Sequence, residues 1–128
     1  MAKTILIAED GKATRQVLSF ILSNRGFIVI EATTGTEALE KAKARLPDLV
    51  ILDSEMPEMS GYEVYRLLKQ DSASKNIPVL MLVADTKKCD MPTRSVPPAE
   101  FLVSKPFTAH DLLLKVGMAL SLSRRVNC

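Results

Sequence analysis

The sequence predicts an α/β protein built on a parallel sheet, and three observations carry that prediction. Five short apolar runs recur along the chain, at residues 4–8, 27–31, 49–52, 79–84 and 101–103. Each has strand length and is rich in Ile, Val and Leu. Apart from the second they lack polar alternation, as expected of strands covered on both faces. Stretches of helical periodicity separate the runs, and regular alternation of strand and helix is the pattern of right-handed crossovers in an α/β sheet.

In chain order, the first run ends at Ala8 and is followed by a stripe of Val17, Leu18, Ile21 and Leu22, with Gly26 placed to stop that helix. The second helix carries Ala38, Ala42 and Leu46 and starts at Thr34, with Glu37 at capping-box spacing. The third starts the same way at Ser60 with Glu63 and carries Val64, Leu67 and Leu68. The last carries Leu112, Leu113, Val116 and Leu120; its opening pair, Thr108 and Asp111, is a weaker box because the acid is shorter. The helix expected between the fourth and fifth strands is the exception. Pro92, Pro97 and Pro98 fall in it, and interior prolines destabilise a helix by about 3 kcal/mol apiece. That fourth helix is predicted to be short or irregular.

The chain of 128 residues suits one compact domain with its own core, spanning 1–128 with no output domain after the last helix. Hydrophobic residues at 47% and charged residues at 25% exclude disordered and fibrous classes. A net charge of +2, with basic residues scattered among acids, argues against direct nucleic-acid binding. The Arg124 and Arg125 pair reads as a solvated tail. No apolar run approaches membrane-spanning length. Cys89 and Cys128 have no metal-ligand spacing and no secretory segment precedes the first strand, so a reduced, cytoplasmic location is expected.

The acids fall where chemistry is expected. Glu9 and Asp10 follow the first run, Asp53 closes the third, and Lys105 follows the fifth. In doubly wound sheets, ligands bind outside the carboxyl ends of the strands, where the strand order reverses. Clustered carboxylates repel one another, and a hard divalent cation relieves that repulsion. Magnesium prefers carboxylate and water oxygens and keeps several waters, which suits a shallow site.

Together, the pair Glu9-Asp10, the run from Asp53 to Gly61 (DSEMPEMSG) and Lys105-Pro106-Phe107 match the response regulator receiver pattern in residue type and order. The chain resembles that family over nearly its whole length. The resemblance implies a five-stranded doubly wound parallel sheet of order 2-1-3-4-5, the flavodoxin-like or CheY-like three-layer sandwich. It further implies Asp53 as phosphoacceptor, taking a phosphoryl group from a histidine kinase or histidine phosphotransfer protein. Asp10 and Asp53 would bind Mg2+ directly, Glu9 through water, and Glu55 through its backbone carbonyl. Lys105 would contact the phosphoryl group, with the Lys105-Pro106 bond usually cis. The domain would catalyse its own phosphorylation and dephosphorylation without being a conventional enzyme, and would signal to a downstream protein target.

Two positions depart from the family. Receivers carry Thr or Ser at the end of the fourth strand, and here Val83 stands there without a hydroxyl. They carry an aromatic residue three before the lysine, and here that position is Leu102, with Phe101 one residue earlier. The acceptor site is thus expected intact and the readout face altered. Glu55 and Asp85 are expected near the mouth of the site. His110 reads as an exposed polar residue in the last helix, and Cys89 and Met91 as packing or exposed residues.

Two alternatives stand beside the phosphoacceptor reading. One is a docking module that signals without phosphorylation, which Val83 and Leu102 would permit. The other is an aspartyl-phosphate phosphatase, in which Glu55 would be the second acid two residues after the nucleophile. The absence of a substrate-enclosing cap speaks against that enzyme.

Overall fold

The computed structural model describes residues 2–83 and 101–127. Five parallel strands, β1 (Thr4–Ala8), β2 (Ile28–Ala32), β3 (Leu49–Asp53), β4 (Val79–Val83) and β5 (Phe101–Ser104), form one sheet in the order β2-β1-β3-β4-β5. The described helices are α1 (Lys12–Asn24), α2 (Gly35–Arg45), α3 (Gly61–Gln70) and α4 (Ala109–Asn127). The expected α/β class and strand order are therefore observed. The segment for which a short or irregular helix was expected, with Asp85, Cys89 and Met91, lies outside the described residues.

The missing polar alternation has a direct cause. Leu6, Ala8, Val50, Leu52, Val79 and Met81 point to one face and pack against Ala38 and Ala42 of α2 and Val64 and Leu68 of α3. Their neighbours Ile5, Ile7, Leu49, Ile51, Leu80 and Leu82 point to the other face, against Leu18 and Leu22 of α1 and Leu112 and Val116 of α4. Both faces are covered, so the central strands run apolar through Ile5–Ala8, Leu49–Leu52 and Val79–Val83. Each large side chain buried this way contributes about 1.5–3 kcal/mol.

The helix ends follow local chemistry. Thr34, Ser60 and Thr108 each accept a hydrogen bond from the backbone N–H three residues on, at 3.1, 3.2 and 3.0 Å. Glu37 reaches back to the Thr33 N–H at 2.8 Å rather than to the cap residue itself. Gly26, at φ 88°, ends α1: its N–H bonds to the Ser23 carbonyl and that of Phe27 to the Leu22 carbonyl, the paired bonds of a Schellman stop. Because Phe27 belongs to that stop, β2 begins one residue later than its apolar run.

Two stripe positions differ from expectation. Val17 is half exposed because Leu18 and Leu22 already fill the α1 contact with the sheet. Leu46 is also half exposed, since it caps α2 in the left-handed conformation at φ 45° before Pro47 and so turns out of the stripe.

Candidate functional site

The sheet brings the ends of β1, β3 and β5 to one rim. Ala8 pairs with Leu52, Asp53 with Leu82, and Val83 with Ser104, so Glu9 follows β1 beside Asp53 at the end of β3, and Lys105 comes two positions beyond that level on β5. Glu9, Asp10, Asp53, Glu55 and Lys105 accordingly line one cleft of about 430 Å³. The carboxylates of Glu9, Asp10 and Asp53 each offer an oxygen within 4.8 Å of the others.

Lys105 ties the cluster together. Its Nζ lies 3.0 Å from Glu9 Oε1 and 3.2 Å from Asp53 Oδ2. The Lys105-Pro106 peptide bond is cis, and the Lys105 N–H donates to the Val83 carbonyl at 2.7 Å, which continues the β4 pairing past the last residue of β5. Glu9 is 2% exposed, and its second carboxylate oxygen accepts the Gly11 N–H at 3.0 Å. Asp53 is 5% exposed, and its Oδ1 accepts the Glu55 N–H at 3.4 Å. Asp10, by contrast, is exposed, and among the described residues its carboxylate has no partner.

Electrostatics follow from this packing. Burial, and then the charge of Glu9, push the Asp53 carboxyl above its ordinary value, while Lys105 opposes the shift. Burial works against the Lys105 ammonium, but the hydrogen bond to Glu9 and the attraction of Asp53 outweigh it and raise its pKa. The ammonium therefore stays charged at neutral pH. Among the described residues, the cleft sets the carboxyl groups of Glu9, Asp53 and the exposed Asp10 around the Lys105 ammonium, an excess of acid, and hard oxygen donors with open solvent on one side fit a magnesium-type ion.

The loop after β3 is shaped by close backbone approach. A Cβ at Gly61 would collide with the Asp53 carbonyl oxygen, so only glycine lets α3 start directly beneath the strand end. The Gly61 N–H donates to the Ser54 carbonyl at 3.1 Å. Between them Glu58 takes φ 74° and the Met59 N–H bonds to the Pro57 carbonyl at 2.8 Å, a three-residue turn.

The two positions that depart from the family pattern, Val83 and Leu102, carry no chemistry of that kind. Val83 is 2% exposed at the end of β4. Leu102 pairs with Met81 in an unbroken register and is 44% exposed. No bulge re-registers β5, so Phe101 keeps its position opposite Leu80 and does not substitute at the Leu102 position. His110 is exposed near the start of α4.

Arg15 and Glu31 were not singled out from the sequence. The guanidinium of Arg15 donates to the carbonyls of Glu9 and Asp10 and to the Glu31 carboxylate. An acid interrupting the second apolar run was the one available signal.

Comparison with known proteins agrees with this geometry. Residues 5–117 match the family model of the response regulator receiver domain. The polar-differentiation response regulator DivK of Brucella ovis is 32% identical over 108 residues, which are 84% of this chain and 88% of that protein. The phosphate regulon transcriptional regulatory protein PhoB of Escherichia coli (strain K12) is 32% identical over 116 residues; these are 91% of this chain but about half, 51%, of that regulator. Among solved structures, the signal receiver domain of a signal transduction histidine kinase from Syntrophus aciditrophicus superposes with a TM-score of 0.86 at 32% identity, covering 94% of this chain and 91% of that one. The chain belongs to the response regulator receiver domain family, whose members serve two-component signalling.

Proposed function

We propose that Asp53 is the phosphoacceptor of this receiver, charged from the phosphohistidine of a histidine kinase or histidine phosphotransfer protein. The observation that carries the reading is the interlocked cluster of Lys105, Asp53 and Glu9, with the exposed Asp10 carboxylate beside it. Asp10 and Asp53 would hold Mg2+ directly, Glu9 through water, and Glu55 through its backbone carbonyl. When bound, the ion supplies charge neutralisation for the phosphoryl oxygens.

The chain's own groups do the rest. An Asp53 carboxylate oxygen attacks phosphorus as the P–N bond to the donor imidazole breaks. The bonding pair leaves with the imidazole nitrogen, and the product is an acyl phosphate. Lys105 gives up part of its hold on Asp53 and takes the incoming phosphoryl oxygens, which carry the negative charge it already faces. Attack of water on the acyl phosphate later restores the carboxylate and releases inorganic phosphate. The domain thus modifies itself and turns over no separate substrate. Its output would pass to a downstream protein target in the cytoplasm. No described helix is long and apolar enough to cross a membrane.

Val83 and Leu102 favour a second reading, a docking module whose target binds without phosphorylation. Incubation with Mg2+ and acetyl phosphate separates the two. Under the first reading, intact mass rises by one phosphoryl group, and Asp53→Asn or chelation of the metal abolishes the gain. No gain in the wild-type chain would leave the docking module.

A further inference from the structure

We propose that Arg15 is a positioning residue for the acid pocket: anchored by Glu31, its guanidinium grips the backbone carbonyls of Glu9 and Asp10 and sets the turn that presents both acids to a divalent cation. The inference rests on the reading of that pocket as a cation site.

Arg15 stands in the first turn of α1, its side chain only 16% exposed. One guanidinium nitrogen, Nη1, donates to the Glu9 carbonyl at 2.9 Å and to the Asp10 carbonyl at 3.3 Å. Its Nε donates to Glu31 Oε1 at 3.1 Å. Glu31 is itself fastened, because the Ser19 hydroxyl donates to its Oε2 at 2.8 Å and the Lys41 ammonium donates to its carbonyl at 2.6 Å. The guanidinium is therefore fixed from the β2 side and holds the β1–α1 turn from outside the cleft.

The turn needs such a hold. α1 begins at the N-cap residue Gly11, which offers no side chain to cap the helix. Inside the cleft the Gly11 N–H is already committed to the Glu9 carboxylate. The exposed Asp10 has no side-chain partner among the described residues, so its backbone is what fixes where its carboxylate stands. Groups behind metal ligands that orient them typically change affinity by about 10- to 100-fold when removed. A planar fork can bond one carboxylate and two carbonyls at once, and an ammonium cannot reproduce that geometry.

The positive charge of Arg15 would act in the opposite sense to its grip. It repels a cation in the pocket, so a role through charge alone would make its removal tighten binding. Positioning predicts weaker binding. The sign of the change separates the two.

The test is calorimetric titration of Mg2+ into the full chain as wild type, Arg15→Met, Arg15→Lys, Glu31→Gln and Asp53→Asn, each first checked for a cooperative metal-free melt. Arg15→Met is expected to weaken Mg2+ binding about 10- to 100-fold, Arg15→Lys by less, and Glu31→Gln by a few-fold. Unchanged or tighter binding by a folded Arg15→Met overturns the proposal. Should Arg15→Met not fold, wild-type affinity in both Arg15→Lys and Glu31→Gln overturns it instead. Failure of the underlying reading looks different: the wild-type chain takes up no Mg2+, or Asp53→Asn binds it as well as wild type, and the proposal falls with that reading.

Discussion

The rim above β1 and β3 and the neighbouring end of β4 are built to opposite specifications. At the rim, Glu9, Asp53 and Lys105 occupy one another's polar atoms at 3.0–3.2 Å, and Asp10 extends the negative charge toward solvent. One strand away, Val83 presents only methyl groups and is almost completely buried, and Leu102 follows on β5 without an aromatic ring. The two regions share the sheet, since the Lys105 N–H bonds to the Val83 carbonyl. Under the proposed function, the difference teaches that the means of accepting a charged group and the means of reporting it would be separable in this fold. One depends on side chains at the tips of three strands and the other on side chains of β4 and β5, so either can change while the shared backbone holds.

The largest expected effect breaks the comparison from the rim side. Lys105→Ala removes the cation that faces Glu9 and Asp53, and should slow phosphoryl incorporation from acetyl phosphate by roughly 10²–10³-fold at saturating Mg2+, the size of losing one preorganised electrostatic contact. An incorporation rate within threefold of wild type would show that the ammonium is not part of the chemistry.

Metal linkage comes next. A ligand that binds only the folded state adds about 2.7 kcal/mol at a hundred times its Kd, so Mg2+ should raise the melting temperature of the wild-type chain by several degrees. Asp10→Asn should lose most of that rise while melting normally without metal, because the side chain is exposed and unpartnered among the described residues.

From the other side, Val83→Thr restores a hydroxyl beside the rim. A charge-assisted hydrogen bond contributes about 1.5–3 kcal/mol, which should shift the two-state population on adding a phosphoryl mimic by roughly ten- to a hundredfold. Amide chemical shifts around β4 and β5, recorded with and without beryllofluoride, read the shift; identical responses in Val83→Thr and wild type would mean that the readout does not depend on this position.

The smallest effect is expected at the start of α2, from an acid that does not line the cleft. Glu37 accepts the Thr33 N–H and pairs with Lys41, which holds its pKa at about 2 instead of 4.5. A carboxylate depressed in the folded state adds stability that is complete above its unfolded value and is lost as pH falls from about 4.5 toward 2. Acid unfolding of Glu37→Gln should therefore lack that part of the pH dependence, with phosphoryl incorporation unchanged.

Much of the molecule was legible in the sequence for physical reasons. A sheet buried on both faces must be apolar at consecutive positions, so β1, β3 and β4 announced themselves, and an acid that ends such a run has nowhere to go but the rim. Helix caps were legible for the same reason, because Thr34, Ser60 and Thr108 satisfy backbone donors within three residues. Less was visible where a side chain had two outlets. Val17 and Leu46 fit the helical period yet face solvent, since period alone does not set the width of the buried stripe. The Arg15 to Glu31 pair spans sixteen residues and two elements, and such a contact is fixed only when the crossover places α1 beside β2.

The most direct measurement is the position of the label itself. After reaction with acetyl phosphate and Mg2+, the acyl phosphate is reduced with borohydride and the chain is mapped by peptide mass spectrometry. The account predicts one reduced carboxyl, at Asp53. Reduction at Asp10 or Glu9 in its place, or a phosphoryl group recovered on His110, would contradict it.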